Sequence, residues 1–229
     1  MFKVLDLFSG IGGFSLGLER TGGFKTVAFC EIDPYCRKVL AKHWPGVPIY
    51  DDVRKLEFEG PADVVCGGFP CQPFSSASRG RRSGTEDDRY LWPKMLATIE
   101  AIGPAWVIGE NVDEFADLAF DRVCSDLGDR GYATWAAIIP ALAVDAPHTR
   151  ERLWFVGYSD AKRQPARSLN DETPRLSGMG SHFEWPAYTS SLGMGDGLPG
   201  ELDRLRCLGN AVVPQIPELI GRAILKASM

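Results

Sequence analysis

Short apolar runs alternate with helically spaced segments through the first half of this chain, and that alternation restricts the fold more than any other feature. The runs predict strands over Lys3–Phe8, Lys25–Glu31, Pro48–Val53, Ala62–Gly67 and Ala105–Glu110. Between them, Phe14–Arg20, Pro34–His43 and Leu91–Ala101 have helical spacing, and a further helix is expected over Phe115–Arg130, closed by Gly131. Two more strands, near Tyr132–Ile139 and Arg152–Tyr158, complete an α/β fold: a doubly wound, mostly parallel sheet of about seven strands with helices on both faces. Residues 1–158 form the main domain. Residues 159–203 are rich in Ser, Gly, Pro, Arg and Asp, with glycines that break every potential helix, and read as a small irregular insertion. In the remaining 204–229, Gln215–Ala227 forms a last helix with Ile216, Leu219, Ile220 and Ile224 on one face, expected to return to the first strand's side of the main domain.

Composition excludes several function classes. No stretch approaches the roughly 18 continuous apolar residues of a membrane helix, and the N-terminus reads as a strand rather than a signal peptide. Six cysteines without a Cys-x-x-Cys pair argue against a zinc site or a disulfide framework. No metal is therefore expected, and the compartment is a reducing one, the cytoplasm. At a net charge of −5 no global field attracts nucleic acid, so a nucleic-acid partner would need a local basic face. Arg79, Arg81 and Arg82 form one candidate cluster and Arg150 and Arg152 another, although loop arginines are more often solvated surface.

The chemistry-bearing residues fall at strand ends. The first strand runs into Asp6-Leu7-Phe8-Ser9-Gly10-Ile11-Gly12-Gly13, a glycine-rich turn that opens a helix, where backbone can approach a ligand closely. Glu31 ends the second strand, 21 residues after Gly10, where it can take two ribose hydroxyls. Ser15 stands where the dinucleotide fingerprint wants glycine, which disfavours a pyrophosphate and favours a phosphate-free nucleoside such as S-adenosylmethionine. Asp52, at the end of the third strand, is placed to accept from an adenine amino group. Cys71, locked between Pro70 and Pro73 after the fourth strand, is either a reactive thiol or an incidental one on a rigid turn. Glu110, ending the next strand, makes it a nucleophile plus an acid, or else simply caps a helix.

The segments Asp6–Glu19 (DLFSGIGGFSLGLE), Gly67–Ser75 (GGFPCQPFS), Glu110–Val112 (ENV), Arg150–Arg152 (RER) and Leu208–Pro214 (LGNAVVP) occur in one order. Together they resemble the motif series of DNA (cytosine-5)-methyltransferases of compact bacterial or bacteriophage type, over about residues 1–158 and 204–229. The resemblance implies a Rossmann-like methyltransferase fold, with 1–158 as the catalytic and cofactor-binding domain and 159–203 as a small target-recognition region. It implies that Cys71 attacks carbon 6 of a flipped cytosine in double-stranded DNA. Glu110 would hold ring nitrogen 3 and the exocyclic amine, Arg152 the carbonyl, and Arg150 the active-site loop or a phosphate. Phe8, Gly10, Glu31, Ile32, Asp52, Pro70, Leu91 and Asn210 fall on cofactor-contacting positions, with Ile11, Gly12, Gly13, Val53 and Ala211 beside them. The loop Ser75–Arg89 resembles the segment that closes over the flipped base, so Gln72, Ser75, Arg79, Arg81 and Arg82 are expected against the DNA, as are Arg163 and Arg167 of the insertion.

Two departures qualify the match. His148 stands where the family has Gln before the Arg-x-Arg motif, and the insertion, at roughly 45 residues, is much shorter than the family's recognition region. Few base contacts imply a short recognition site, at about 1–3 kcal/mol of discrimination per contact. The resemblance leaves two alternatives: a tRNA cytosine-5 methyltransferase of the same family, and a catalytically silent DNA- or cofactor-binding module. A cognate restriction endonuclease would be a separate chain, and a monomer is expected.

Overall fold

The computed structural model describes residues 1–70, 90–159 and 211–228. Seven strands form one sheet: β1 (Phe2–Leu7), β2 (Phe24–Cys30), β3 (Ile49–Tyr50), β4 (Val64–Gly67), β5 (Trp106–Val112), β6 (Tyr132–Pro140) and β7 (Glu151–Ser159). Their order across the sheet is β3-β2-β1-β4-β5-β7-β6. Pairings from β3 to β5 are parallel, and β7 runs antiparallel to both β5 and β6. The expected doubly wound, mostly parallel sheet is present. Strand order reverses between β1 and β4, and in open α/β sheets the crevice at the carboxyl ends of such a pair is where ligands bind.

Helices cover both faces, so the central strands are buried on both sides and read as continuous apolar runs. On one face Leu5, Leu7, Val65, Val107 and Phe155 pack with Met95 and Ile99 of α3 (Trp92–Ile102) and Val123 and Leu127 of α5 (Phe120–Gly128). On the other, Val4, Val64, Ile108 and Trp154 meet Phe14 and Leu18 of α1 (Gly13–Arg20) and Ile216, Ile220 and Ile224 of the C-terminal helix α6 (Gln215–Ala227). The expected return of the last helix is therefore observed. It comes so close to α1 that a Cβ on Gly17 would lie 2.1 Å from the Pro214 carbonyl oxygen. Helix α2 (Pro34–His43) starts at Asp33, whose side chain accepts from the Tyr35 and Cys36 amides.

Three elements depart from expectation in ways that bear on the site or the packing. The third strand shrinks to Ile49–Tyr50, because Asp52 turns away to cap a 3-10 turn over Val53–Lys55, accepting from the Arg54 amide. The helix expected over Phe115–Arg130 divides at Ala119 (φ −154°, ψ 2°) into α4 (Phe115–Leu118) and α5, which ends at Gly128. Strand β5 continues through Val112, because antiparallel pairing to β7 persists beyond the end of β4. Glu110 therefore lies inside β5 rather than at its end. It remains the first residue past the parallel ladder, whose last pair is Gly67 with Gly109.

Candidate active site

The turn after β1 is held by its own backbone and by two acids. Ser9 Oγ donates to the Asp6 carbonyl at 2.6 Å, the Gly12 amide donates to the Ser9 carbonyl at 2.8 Å, and the Gly10 amide donates to Glu31 Oε2 at 2.6 Å. Phe8 sits in the left-handed region at φ 52°, an unfavourable conformation for a side-chain-bearing residue that the flanking bonds enforce. Glu31 is buried, and its Oε1 accepts from the Asp33 amide at 2.8 Å. Each carboxylate oxygen thus uses one acceptor site on backbone and keeps another. Ile32, next in sequence, is 62% exposed. Val53 is buried, and Phe8 and Leu91 are partly buried in the same apolar cluster. The Asp52 carboxylate takes Arg54 Nε at 2.8 and 3.1 Å, which holds it below the usual carboxylate range.

Beneath this turn lies Asp6, fully buried, with Oδ2 accepting from Ser15 Oγ at 2.7 Å and from the Ser15 amide at 3.3 Å. Its Oδ1 has no hydrogen-bond partner among the described residues. Burial pushes the Asp6 carboxyl up from 3.8 to about 7, against the hydrogen bonds from Ser15. The donor set matters for what could bind above it. Two accepting carboxylate sites and an exposed isoleucine, with no basic side chain among the turn residues, fit a ribose and a purine better than a phosphate. Glu31, Ile32, Phe8 and Val53 are the residues that would hold an adenosine.

Across the crevice, the ring of Phe69 packs among Trp92 and Phe115, each at 5.4 Å between centroids, and Phe155 at 6.5 Å. Asn111, buried at the end of β5, donates Nδ2–H to the Phe69 carbonyl at 3.2 Å and accepts from the Val112 amide at 2.9 Å. Side chain and carbonyl of Phe69 are thus both fixed, which sets the direction in which the chain reaches Pro70. Glu110 Oε1 pairs with Arg152 Nε at 3.1 Å, and the glutamate side chain is only 13% exposed. A Cβ on Gly68 would lie 2.9 Å from Glu110 Oε2, so glycine there leaves the room the carboxyl occupies.

Burial pushes the Glu110 carboxyl up, and the Arg152 and Arg150 guanidinium charges pull it partly back. Burial likewise lowers Arg150, helped by its neighbour Arg152. The register explains how these groups meet: Glu110 lies opposite Trp154 and Val112 opposite Arg152, so the antiparallel β7 delivers its first residues to the edge where β5 ends. A small pocket is lined there by Glu110, Arg150, Arg152, Trp154 and, from the C-terminal segment, Ala211 and Val212. Trp154 forms its wall, packing edge-on against Phe14 of α1 at 5.5 Å.

The sheet edge therefore gathers Phe8, Gly10, Ile11, Gly12, Gly13, Glu31 and Ile32 on the β1–β2 side and Pro70, Glu110, Arg150, Arg152 and Ala211 on the β4–β5–β7 side. Cys71, Gln72, Ser75, Arg79, Arg81, Arg82, Arg163, Arg167 and Asn210 lie outside the described residues. Sequence reasoning did not single out Asp6, Asn111 or Trp154. The only signals were Ser15 nine residues after Asp6 and the position of Asn111 directly after Glu110. No group of His, Cys, Asp and Glu that could hold a metal ion occurs among the described residues, and no helix among them is long and apolar enough to cross a membrane.

Comparison with known proteins agrees with this geometry. The chain is 39% identical over 161 residues to the Type II methyltransferase M2.BsuMI of Bacillus subtilis, covering 66% of this chain and 40% of that one. It is 33% identical over 214 residues to the Type II methyltransferase M.Eco47II of Escherichia coli, covering 88% and 47%. It thus spans about half the length of the curated relatives it matches or less. Among solved structures, a DNA modification methyltransferase encoded within an E. coli prophage superposes with a TM-score of 0.58 at 26% identity, covering 70% of this chain and 47% of that one. The Dnmt2 methyltransferase of S. pombe, 21% identical, shares the fold at a TM-score of 0.61, covering 75% and 54%. The family model for C-5 cytosine-specific DNA methylase matches residues 2–178, and with that match over most of its length this chain belongs to that family.

Proposed function

We propose that this chain transfers a methyl group from S-adenosylmethionine to carbon 5 of cytosine in double-stranded DNA, through a covalent adduct of Cys71 with a flipped base. The observation that carries the reading is the partly buried Glu110–Arg152 pair at the carboxyl edge of the sheet, beside the segment that leads into Cys71. Cytosine is a weak nucleophile at carbon 5. Addition of a thiolate to carbon 6 forms the sulfur–carbon bond and pushes the ring electrons onto carbon 5 and nitrogen 3. Glu110 meets that charge: a carboxyl whose burial keeps its proton to higher pH than an ordinary glutamate can donate to nitrogen 3 while accepting from the exocyclic amine. Arg152 fixes the carboxyl and offers further donors to the base carbonyl. Bound beside Glu31 and Ile32, S-adenosylmethionine would supply the electrophilic methyl group. Loss of the carbon-5 proton to water, return of the nitrogen-3 proton to Glu110 and departure of the thiolate then release the methylated base.

The Type II names of the relatives support duplex DNA as the substrate and leave room for a cognate endonuclease on another chain. Tritiated S-adenosylmethionine with duplex DNA and with tRNA as separate acceptors tests the assignment. Transfer to duplex DNA is expected; transfer to tRNA alone would reassign the substrate, and transfer to neither by a protein that binds the cofactor would leave a binding module.

A further inference from the structure

We infer that Arg37 is a positioning residue of the cofactor site, holding the β2–α2 turn in the shape that presents Glu31 and Ile32; this rests on the cofactor reading above. Arg37 lies in the first turn of α2, yet its guanidinium folds back past the start of the helix. Nη1 donates to the Ile32 carbonyl at 2.8 Å and to the Glu31 carbonyl at 3.1 Å. A cation at a helix N-terminus opposes the helix dipole, so the two carbonyls must be what holds it there. They belong to the two residues whose side chains would meet the adenosine.

The rest of the turn explains why a clamp is needed. The Glu31 carboxylate is fixed by the amides of Gly10 and Asp33, and its own amide donates to the Tyr50 carbonyl at 2.9 Å. Ile32 has no comparable restraint. At 62% exposed it is an apolar side chain that packing does not hold. The bond from Arg37 is the one side-chain hydrogen bond to its carbonyl among the described residues. Without that bond the peptide between Ile32 and Asp33 is held only through the Asp33 amide's bond to Glu31, so its carbonyl side is loosened and a tilt of the peptide moves both the isoleucine and the amide that restrains Glu31.

Calorimetry with S-adenosylhomocysteine tests the assignment. Arg37→Ala is expected to weaken binding about tenfold, the scale of one lost hydrogen bond to a site residue. Arg37→Lys, which keeps the charge and can reach one carbonyl, should fall between it and wild type. The KM for S-adenosylmethionine should rise by the same factor while kcat stays within about twofold. Because Arg37 acts through the turn, Arg37→Ala combined with Glu31→Ala should bind little worse than Glu31→Ala alone. Unchanged affinity in Arg37→Ala, additive losses in the double variant, or a kcat loss without a KM change would each overturn the role. If Glu31→Ala also binds normally, the cofactor reading fails with it; if only Arg37→Ala binds normally, the clamp alone is wrong.

Discussion

Replacing Gly68 by alanine moves the candidate acid and little else. An alanine Cβ at this position lies 2.9 Å from Glu110 Oε2, whereas ordinary contact begins at 3.4 Å, so the carboxyl must retreat by about 0.5 Å. The next atom met, the Glu110 carbonyl oxygen, is 3.7 Å away and needs no adjustment. Since the obstructing atom is the tip of a side chain, the glutamate yields and the backbone stays. The retreat disturbs the 3.1 Å pairing of Oε1 with Arg152 and takes the carboxyl off the position where nitrogen 3 would meet it. A misplacement of 1 Å at a reacting group costs about 100-fold in rate, so half that distance predicts about a tenfold loss in kcat. Gly68→Ala should therefore transfer tritiated methyl groups to duplex DNA about tenfold more slowly at saturating substrates. Affinity for S-adenosylhomocysteine should remain within about twofold of wild type and the thermal midpoint within a few degrees. A kcat equal to wild type would refute the placement of Glu110 at the reacting base, and loss of cofactor affinity would show that Gly68 serves the other side of the crevice.

Three further outcomes are expected. Asp6 retains its proton to about 7 when folded and releases it near 3.8 when unfolded, so stability should fall as pH rises between these values, by at most about 4 kcal/mol, and then level off; urea denaturation from pH 5 to 8 should show Asp6→Asn flattening that slope, and an unchanged slope would contradict the burial argument. Asn111→Ala leaves the Phe69 carbonyl without its donor, which should cost about 1–3 kcal/mol of stability and slow thiol addition to the base without altering S-adenosylhomocysteine affinity; normal addition kinetics would remove Asn111 from the positioning of Cys71. Arg152→Met should lower kcat and, by removing a charge that pulls the Glu110 carboxyl down, shift the alkaline limb of the pH–rate profile upward, because protonated Glu110 is the working form; a limb that stays or moves down would show that another group sets it.

The alternation of apolar runs and helical spacing made most of the sheet legible, because strands buried on both faces and helices buried on one leave different periods in the sequence. Glu31 was legible as a strand-end acid 21 residues after Gly10, but its hydrogen bond from the Gly10 amide was not, because it depends on the parallel pairing that sets β2 beside β1. The break at Ala119 was not. Alanine favours helix, and the apolar positions Phe115, Val123 and Leu127 run through it in phase. The division accompanies tertiary packing, with Phe115 buried against Phe69 and Phe120 set on Phe155. The antiparallel direction of β7 is likewise invisible in Leu153–Val156, an apolar run that suits either direction, yet that direction carries Arg152 to Glu110. Asp6 reads as an ordinary strand-end acid until its complete burial is known, and Asn111 gains its role only from a carbonyl 42 residues earlier in the chain.

In the proposed mechanism the groups gathered at this edge serve a thiol that adds to cytosine. Fluorine at carbon 5 blocks the proton loss that releases the base, so an enzyme of this mechanism remains attached after methyl transfer. The decisive measurement is mass spectrometry of the protein incubated with S-adenosylmethionine and duplex DNA carrying 5-fluorocytosine in place of cytosine. A covalent complex joined through Cys71 is expected, absent in Cys71→Ala and reduced in Gly68→Ala. A folded protein that binds S-adenosylhomocysteine and forms no adduct, or forms one at another residue, would contradict the mechanism.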